Sequence, residues 1–86
     1  MSITHTINAN KEIISITASF KNFHYNGENL FTYPEWLQKG YRVKRGQHAF
    51  IKTRLWTLGK NRRFVLVSLF TANQVEKTNK NQFAVV

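Results

Sequence analysis

Residues 40–57 read Gly-Tyr-Arg-Val-Lys-Arg-Gly-Gln-His-Ala-Phe-Ile-Lys-Thr-Arg-Leu-Trp-Thr, and the fold turns on them. Gly40 and Gly46 bracket the cations Arg42, Lys44 and Arg45. From Gln47 to Thr57 the side chains alternate with the period of a β-strand. Ala49, Ile51, Thr53 and Leu55 take one face; Phe50, Lys52, Arg54 and Trp56 take the other. Leu58–Arg63 holds Gly59 and Asn61 and reads as a hairpin loop. Phe64–Thr71 is a second strand, apolar on both faces. A loop centred on Lys60 pairs Trp56 with Phe64, Arg54 with Leu66, Lys52 with Ser68 and Phe50 with Phe70. The opposite face then carries Ile51, Thr53, Leu55, Val65, Val67 and Leu69 as core. A slip of one residue would turn one strand inside out. The register therefore predicts accessible Lys52 and Arg54 and an inward Val67.

Working outward, Ala9–His24 alternates like a strand over Ile14–Phe20. A helical stripe of Ala9, Ile13, Ile16, Phe20 and Phe23 covers more residues, so the segment is expected to be helical over about 9–24. Asn8 or Asn10 would cap it, Glu12 would sit in its first turn, and Lys11, Ser15, Ala18, Ser19 and Asn22 would face solvent. Met1–Ile7 reads as an edge strand or an unstructured lead-in, and Tyr25–Phe31 as a loop turning at Asn26-Gly27. Thr32-Tyr33-Pro34-Glu35 has the spacing of a capping box. It should open a short helix over 33–39 that packs Trp36 and Leu37 inward, ends near Lys39 and stops at Gly40. Gly46 suits a turn needing positive φ. Ala72–Lys77 reads as a turn, Thr78–Asn81 as linker and Phe83–Val86 as a short edge strand. The expected fold is a single small α+β domain, 1–86. Its antiparallel hairpin, about 48–57 and 64–71, packs on the N-terminal helix with the short helix alongside.

Charge is the strongest global signal. Thirteen Lys and Arg stand against four acids, a net charge of +9 and a pI near 10.4. All four acids are Glu, and none lies between Glu35 and Glu76, a span holding Lys39, Arg42, Lys44, Arg45, Lys52, Arg54, Lys60, Arg62 and Arg63. A field of one sign favours polyanions, of which nucleic acid is the commonest. No apolar run approaches the ~20 residues of a membrane span, and the polar N-terminus does not read as a signal peptide. With no cysteine there is no disulfide or thiolate chemistry, which suits a reducing cytoplasm.

The parts of an enzyme are hard to find. Four Glu without Asp leave little for paired-carboxylate catalysis. His5, His24 and His48 are isolated, without zinc-ligand spacing. Neither a Gly-x-Ser-x-Gly elbow nor a phosphate-cradling glycine loop occurs. No catalytic residue, metal, cofactor or small-molecule substrate is therefore expected.

Cations interleaved with aromatics are what a single nucleic-acid strand requires: charge for phosphates and ring faces for bases, each stacked base being worth ~1–3 kcal/mol. Arg42, Lys44, Arg45, Lys52, Arg54, Trp56, Lys60, Arg62 and Arg63 are the candidate nucleic-acid-binding residues. Phe50, Trp56, Phe64 and Phe70 would line either an open stacking face or a second core; the sequence allows both. No helix carries an obvious set of base-reading side chains, so single-stranded DNA is favoured over duplex.

Thr32-Tyr33-Pro34-Glu35-Trp36, Gly40-Tyr41-Arg42-Val43-Lys44-Arg45-Gly46 and Leu69-Phe70-Thr71-Ala72-Asn73-Gln74-Val75-Glu76 together resemble the N-terminal domain of ArdC-type antirestriction proteins. The likeness runs over roughly residues 32–76. It implies single-stranded DNA binding on a plasmid, phage or conjugative element. Gly40, Val43, Gly46, Phe70 and Gln74 are its motif positions and look architectural. The zinc-protease-like domain of the fuller proteins would begin where this chain ends, so no protease activity carries over. The leading expectation is a non-enzymatic single-stranded DNA-binding module in antirestriction or counter-defence. The alternative is a phage-encoded inhibitor, of anti-CRISPR type, that binds a host nuclease or its nucleic-acid groove.

Overall fold

The computed structural model describes residues 3–59 and 61–78. Helix α1 (Ile3–Ser19) is followed by strand β1 (Leu30–Phe31), helix α2 (Tyr33–Gln38), and strands β2 (Tyr41–Val43), β3 (Ile51–Trp56) and β4 (Phe64–Thr71). A 3-10 turn over Ala72–Gln74 then leads into β5 (Val75–Lys77). β1, β4 and β3 form one antiparallel sheet in that spatial order, while β2 and β5 form a separate antiparallel ribbon. The protein is thus a small α+β fold, as its sequence patterning indicates.

The hairpin has the expected register, from Ile51 opposite Leu69 to Trp56 opposite Phe64. Ile51 and Leu69 are buried, Val67 packs against the core, and Lys52 and Arg54 are exposed. Alternation stops short of Phe50, however. The Phe50 N–H donates to the Leu69 carbonyl at 3.0 Å, so Phe50 and Ile51 both address Leu69. This bulge-like step turns Phe50 off the face it was expected to share with Lys52. Its ring meets Phe23 at 5.2 Å, and Lys21 holds it as well, Nζ 5.0 Å from the ring centroid and donating to the Phe50 carbonyl.

Helix α1 begins and ends earlier than expected and presents a different face. Residues 3–7 are helical, not strand. The helix ends in a Schellman arrangement: Phe23 N–H donates to the Ala18 carbonyl, Asn22 N–H donates to the Ser19 carbonyl, and Asn22 takes φ +56°. Asparagine is among the few residues other than glycine that adopt this conformation readily. The turn swings Phe23 onto the core, so Phe23 contributes without being helical. The helix buries Thr6, Ile14 and Ala18. Ala18, expected to face solvent, is fully buried, whereas Phe20, expected in the core, is 83% exposed and Ile16 54%. Asn8, Asn10 and Glu12 lie within the helix and neither cap it nor occupy its first turn.

Two cores result. Ile14, Ala18, Leu30, Ile51 and Leu69 fill the space between α1 and the sheet. Leu30, expected in a loop, belongs to β1 and is 1% exposed. Trp36, Phe70 and Val75 form the second core, where α2 and the ribbon close over the end of β4. The capping box of α2 is present, with Thr32 Oγ1 accepting from the Glu35 N–H and Glu35 Oε1 accepting from the Thr32 N–H. Trp36 is buried, but Leu37 is 51% exposed because α2 is too short to bury more than one side. Residues 75–77, expected in a turn, form β5; the edge strand expected over 83–86 lies outside the described residues.

Candidate nucleic-acid interface

The site is built on the hairpin face turned away from α1. Along β3 stand Trp56, Arg54 and Lys52; opposite them along β4 stand Phe64, Leu66 and Ser68. Trp56 and Phe64 are cross-strand neighbours with ring centroids 4.8 Å apart and planes tilted by 38°. Both remain substantially exposed, and Leu66 beside them is 59% exposed. The four glutamates lie on α1, the 26–29 loop, α2 and β5, so the face contains no carboxylate of its own.

Phe70 does not belong to the open face. Trp36 Nε1–H donates to its carbonyl at 3.0 Å and Tyr33 meets its ring edge-on at 6.3 Å, so α2 roofs that end of β4. Of four aromatics that could have lined the platform, Trp56 and Phe64 do, while Phe50 and Phe70 are taken into the two cores.

Asn10 fixes the platform's outer edge, and sequence reasoning missed it. The backbone pairing of Thr57 N–H with the Arg63 carbonyl leaves the Trp56 peptide groups pointing away from β4. Asn10 satisfies both: its Nδ2 donates to the Trp56 carbonyl and its Oδ1 accepts from the Trp56 N–H, each at 2.9 Å. A helix side chain thus stands in for a missing strand neighbour. Asn8, Lys11 and Glu12 beside it are equally polar, and the hint lies in its falling on the same helical stripe as Ile3, Ile7 and Ile14.

The remaining cations fall into two groups. Arg42, Lys44 and Arg45 project from the ribbon and the turn after it, and all three are exposed. Arg42 is partly committed: its Nε and Nη2 both reach Glu76 Oε2 at 2.8 Å across the ribbon. Such an exposed pair contributes about 0–1 kcal/mol, so it orients Arg42 without fixing it. Arg45 and Gly46 occupy the centre of a turn closed by Gln47 N–H on the Lys44 carbonyl, with Gly46 at φ +83°. Gln74 holds this loop from beneath, with Nε2 donating to the His48 carbonyl and to Gln47 Oε1, while Oε1 accepts from the Thr71 N–H. Gly40, at φ +89°, ends α2, and Val43 packs on the second core. In the hairpin loop, Arg63 is exposed, Arg62 is half-buried, and Lys60 lies outside the described residues.

No family model, curated protein or solved structure matches the chain.

Other features offer less chemistry. The hollow between α1 and the 25–31 loop measures about 180 Å³, below the roughly 300–1,000 Å³ of small-molecule sites. Tyr25 on its wall has a pKa raised above the usual 10.0, first by burial and then by the Glu35 charge. Among the described residues no group of three or more His, Cys, Asp or Glu could hold a metal ion. Among the same residues no helix is long and apolar enough to cross a membrane.

Proposed function

We propose that the protein is a non-enzymatic module that binds single-stranded DNA across the open face of the β3–β4 hairpin. The observation that carries this reading is the exposed Trp56–Phe64 pair beside Lys52 and Arg54 on a face without carboxylates. Ring faces receive bases whatever their identity, while cations two residues apart on an edge strand track the phosphates. Arg42, Lys44, Arg45, Arg62 and Arg63 extend the field that draws the strand in. The resemblance over residues 32–76 to the ArdC N-terminal domain supports the same class and suggests antirestriction or counter-defence on a phage or other mobile element.

A titration of labelled oligo-dT, duplex DNA and RNA at several salt concentrations tests the reading. The logarithm of affinity should fall against that of salt by about 0.7 per phosphate neutralised. Arg54→Glu and Arg45→Glu should each weaken binding and flatten the slope, and Trp56→Ala should cost ~1–3 kcal/mol. No binding at low salt, or a salt-independent affinity, refutes it.

The alternative, an inhibitor that grips a host nuclease, has one observation in its favour. Ile16 on α1 and Phe20 just after its end are exposed, a surface suited to a protein partner and not to a charged strand. Nuclease inhibition that persists in Arg54→Glu and Arg45→Glu variants unable to bind DNA would select it.

A further inference from the structure

The open face does not end at Leu66. Where α2 crosses β4, Tyr33 and Pro34 stand over Ser68 and Phe70 and enclose a shallow, largely apolar recess. Tyr33 is 42% exposed, its ring held edge-on against Phe70 at 6.3 Å. The recess adjoins the cationic column, because Lys52 pairs directly across the strands with Ser68. Ser68 is four residues beyond Phe64 on β4, so at ~3.4 Å per residue about 14 Å separates the recess from the Trp56–Phe64 pair.

We infer that this recess is a second base-binding subsite, which rests on the reading of the face as a single-strand platform. One base stacks on Trp56–Phe64 and another on Tyr33 against Pro34, while Arg54 and Lys52 hold the phosphates between them along the edge strand. Charge chooses this occupant: an apolar slot whose flank is cationic fits a flat base carried on a polyanion. The span sets a length. With bases stacked at ~3.4 Å per step it is bridged in about four steps, roughly five nucleotides, and by fewer when the strand is extended.

The test measures binding of oligo-dT from two to eight nucleotides to the wild-type protein and to Tyr33→Ala, Tyr33→Phe and Trp56→Ala. Quenching of Trp56 and anisotropy of a labelled strand are the readouts, with thermal melts confirming that each variant is folded. Affinity should rise with length until both subsites are reached, at about five nucleotides if the bases stay stacked at ~3.4 Å per step. Tyr33→Ala should lose roughly 5- to 150-fold on the longer strands, as expected for one stacked base. It should leave dinucleotide binding unchanged, and Tyr33→Phe should bind like wild type. Trp56→Ala should weaken every length. If Tyr33→Ala binds all lengths like wild type while Trp56→Ala does not, the second subsite is wrong and the platform stands. If no length binds at low salt, the platform itself is wrong.

Discussion

Asn10 offers a test in which the sign alone decides. An asparagine in an exposed helix interior is a poorer helix former than alanine, so Asn10→Ala considered locally should stabilise α1 by about 0.5 kcal/mol. The tertiary structure predicts the opposite. The substitution removes two hydrogen bonds, each 2.9 Å, between the Asn10 side chain and the Trp56 peptide groups. At ~0.5–1.5 kcal/mol apiece they contribute about 1–3 kcal/mol. After the helix-propensity gain, the net destabilisation is roughly 0.5–2.5 kcal/mol. For a domain of this size each kcal/mol lowers Tm by about 4–8 °C. Asn10→Asp keeps the acceptor for the Trp56 N–H and loses the donor to its carbonyl, so it should fall between. Urea and thermal unfolding followed by far-UV circular dichroism give the order wild type, Asn10→Asp, Asn10→Ala. An Asn10→Ala protein as stable as wild type, or more stable, refutes the claim that α1 is clamped to the free edge of β3. Because the clamp grips the Trp56 backbone, Asn10→Ala should also loosen the platform and weaken oligo-dT binding several-fold.

Three further outcomes follow from the packing. Trp36→Phe removes the indole donor and leaves the buried Phe70 carbonyl short of a partner, a loss of about 1–3 kcal/mol measurable by urea denaturation. Phe20→Gln should change stability by less than ~0.5 kcal/mol because the ring is solvated, whereas Ala18→Leu should cost about 1–3 kcal/mol by overpacking; equal effects would mean that α1 is rotated from this position. Tyr25 has a folded pKa above its unfolded value, so its contribution is fully present below about pH 10 and is lost as pH rises through the folded pKa. In alkaline titrations of stability Tyr25→Phe should therefore lose less than wild type over that range, and identical curves would count against the burial of the Tyr25 hydroxyl.

Local chemistry determined much of this protein in advance. The alternation of Ile51–Trp56 against Phe64–Thr71, joined by a short loop, points to a register that buries Ile51 and Leu69 while leaving Lys52 and Arg54 wet, and the structure adopts it. Thr32 and Glu35 mark the start of α2, and Gly40 and Gly46 take positive φ where the chain must turn. These signals lie within a few residues of the structure they specify. The face of α1 was less plain: Ile3, Ile7 and Ile14 share one helical stripe with Ala18, while Ile13 and Ile16 lie on another with Ala9, Phe20 and Phe23, so a helix taken to start at Ala9 shows the wrong face. Packing chose Ala18, whose small side chain is fully buried, and the left-handed Asn22 delivered Phe23 to the core from outside the helix. The candidate site divides in the same way. Its cations and aromatics are legible as an interleaved run, but which rings stay open was decided by a bulge that turns Phe50 away and by α2 closing over Phe70. Composition sets the ingredients of a binding face; contacts between residues far apart in the chain decide which of them solvent, or a nucleic-acid strand, can reach.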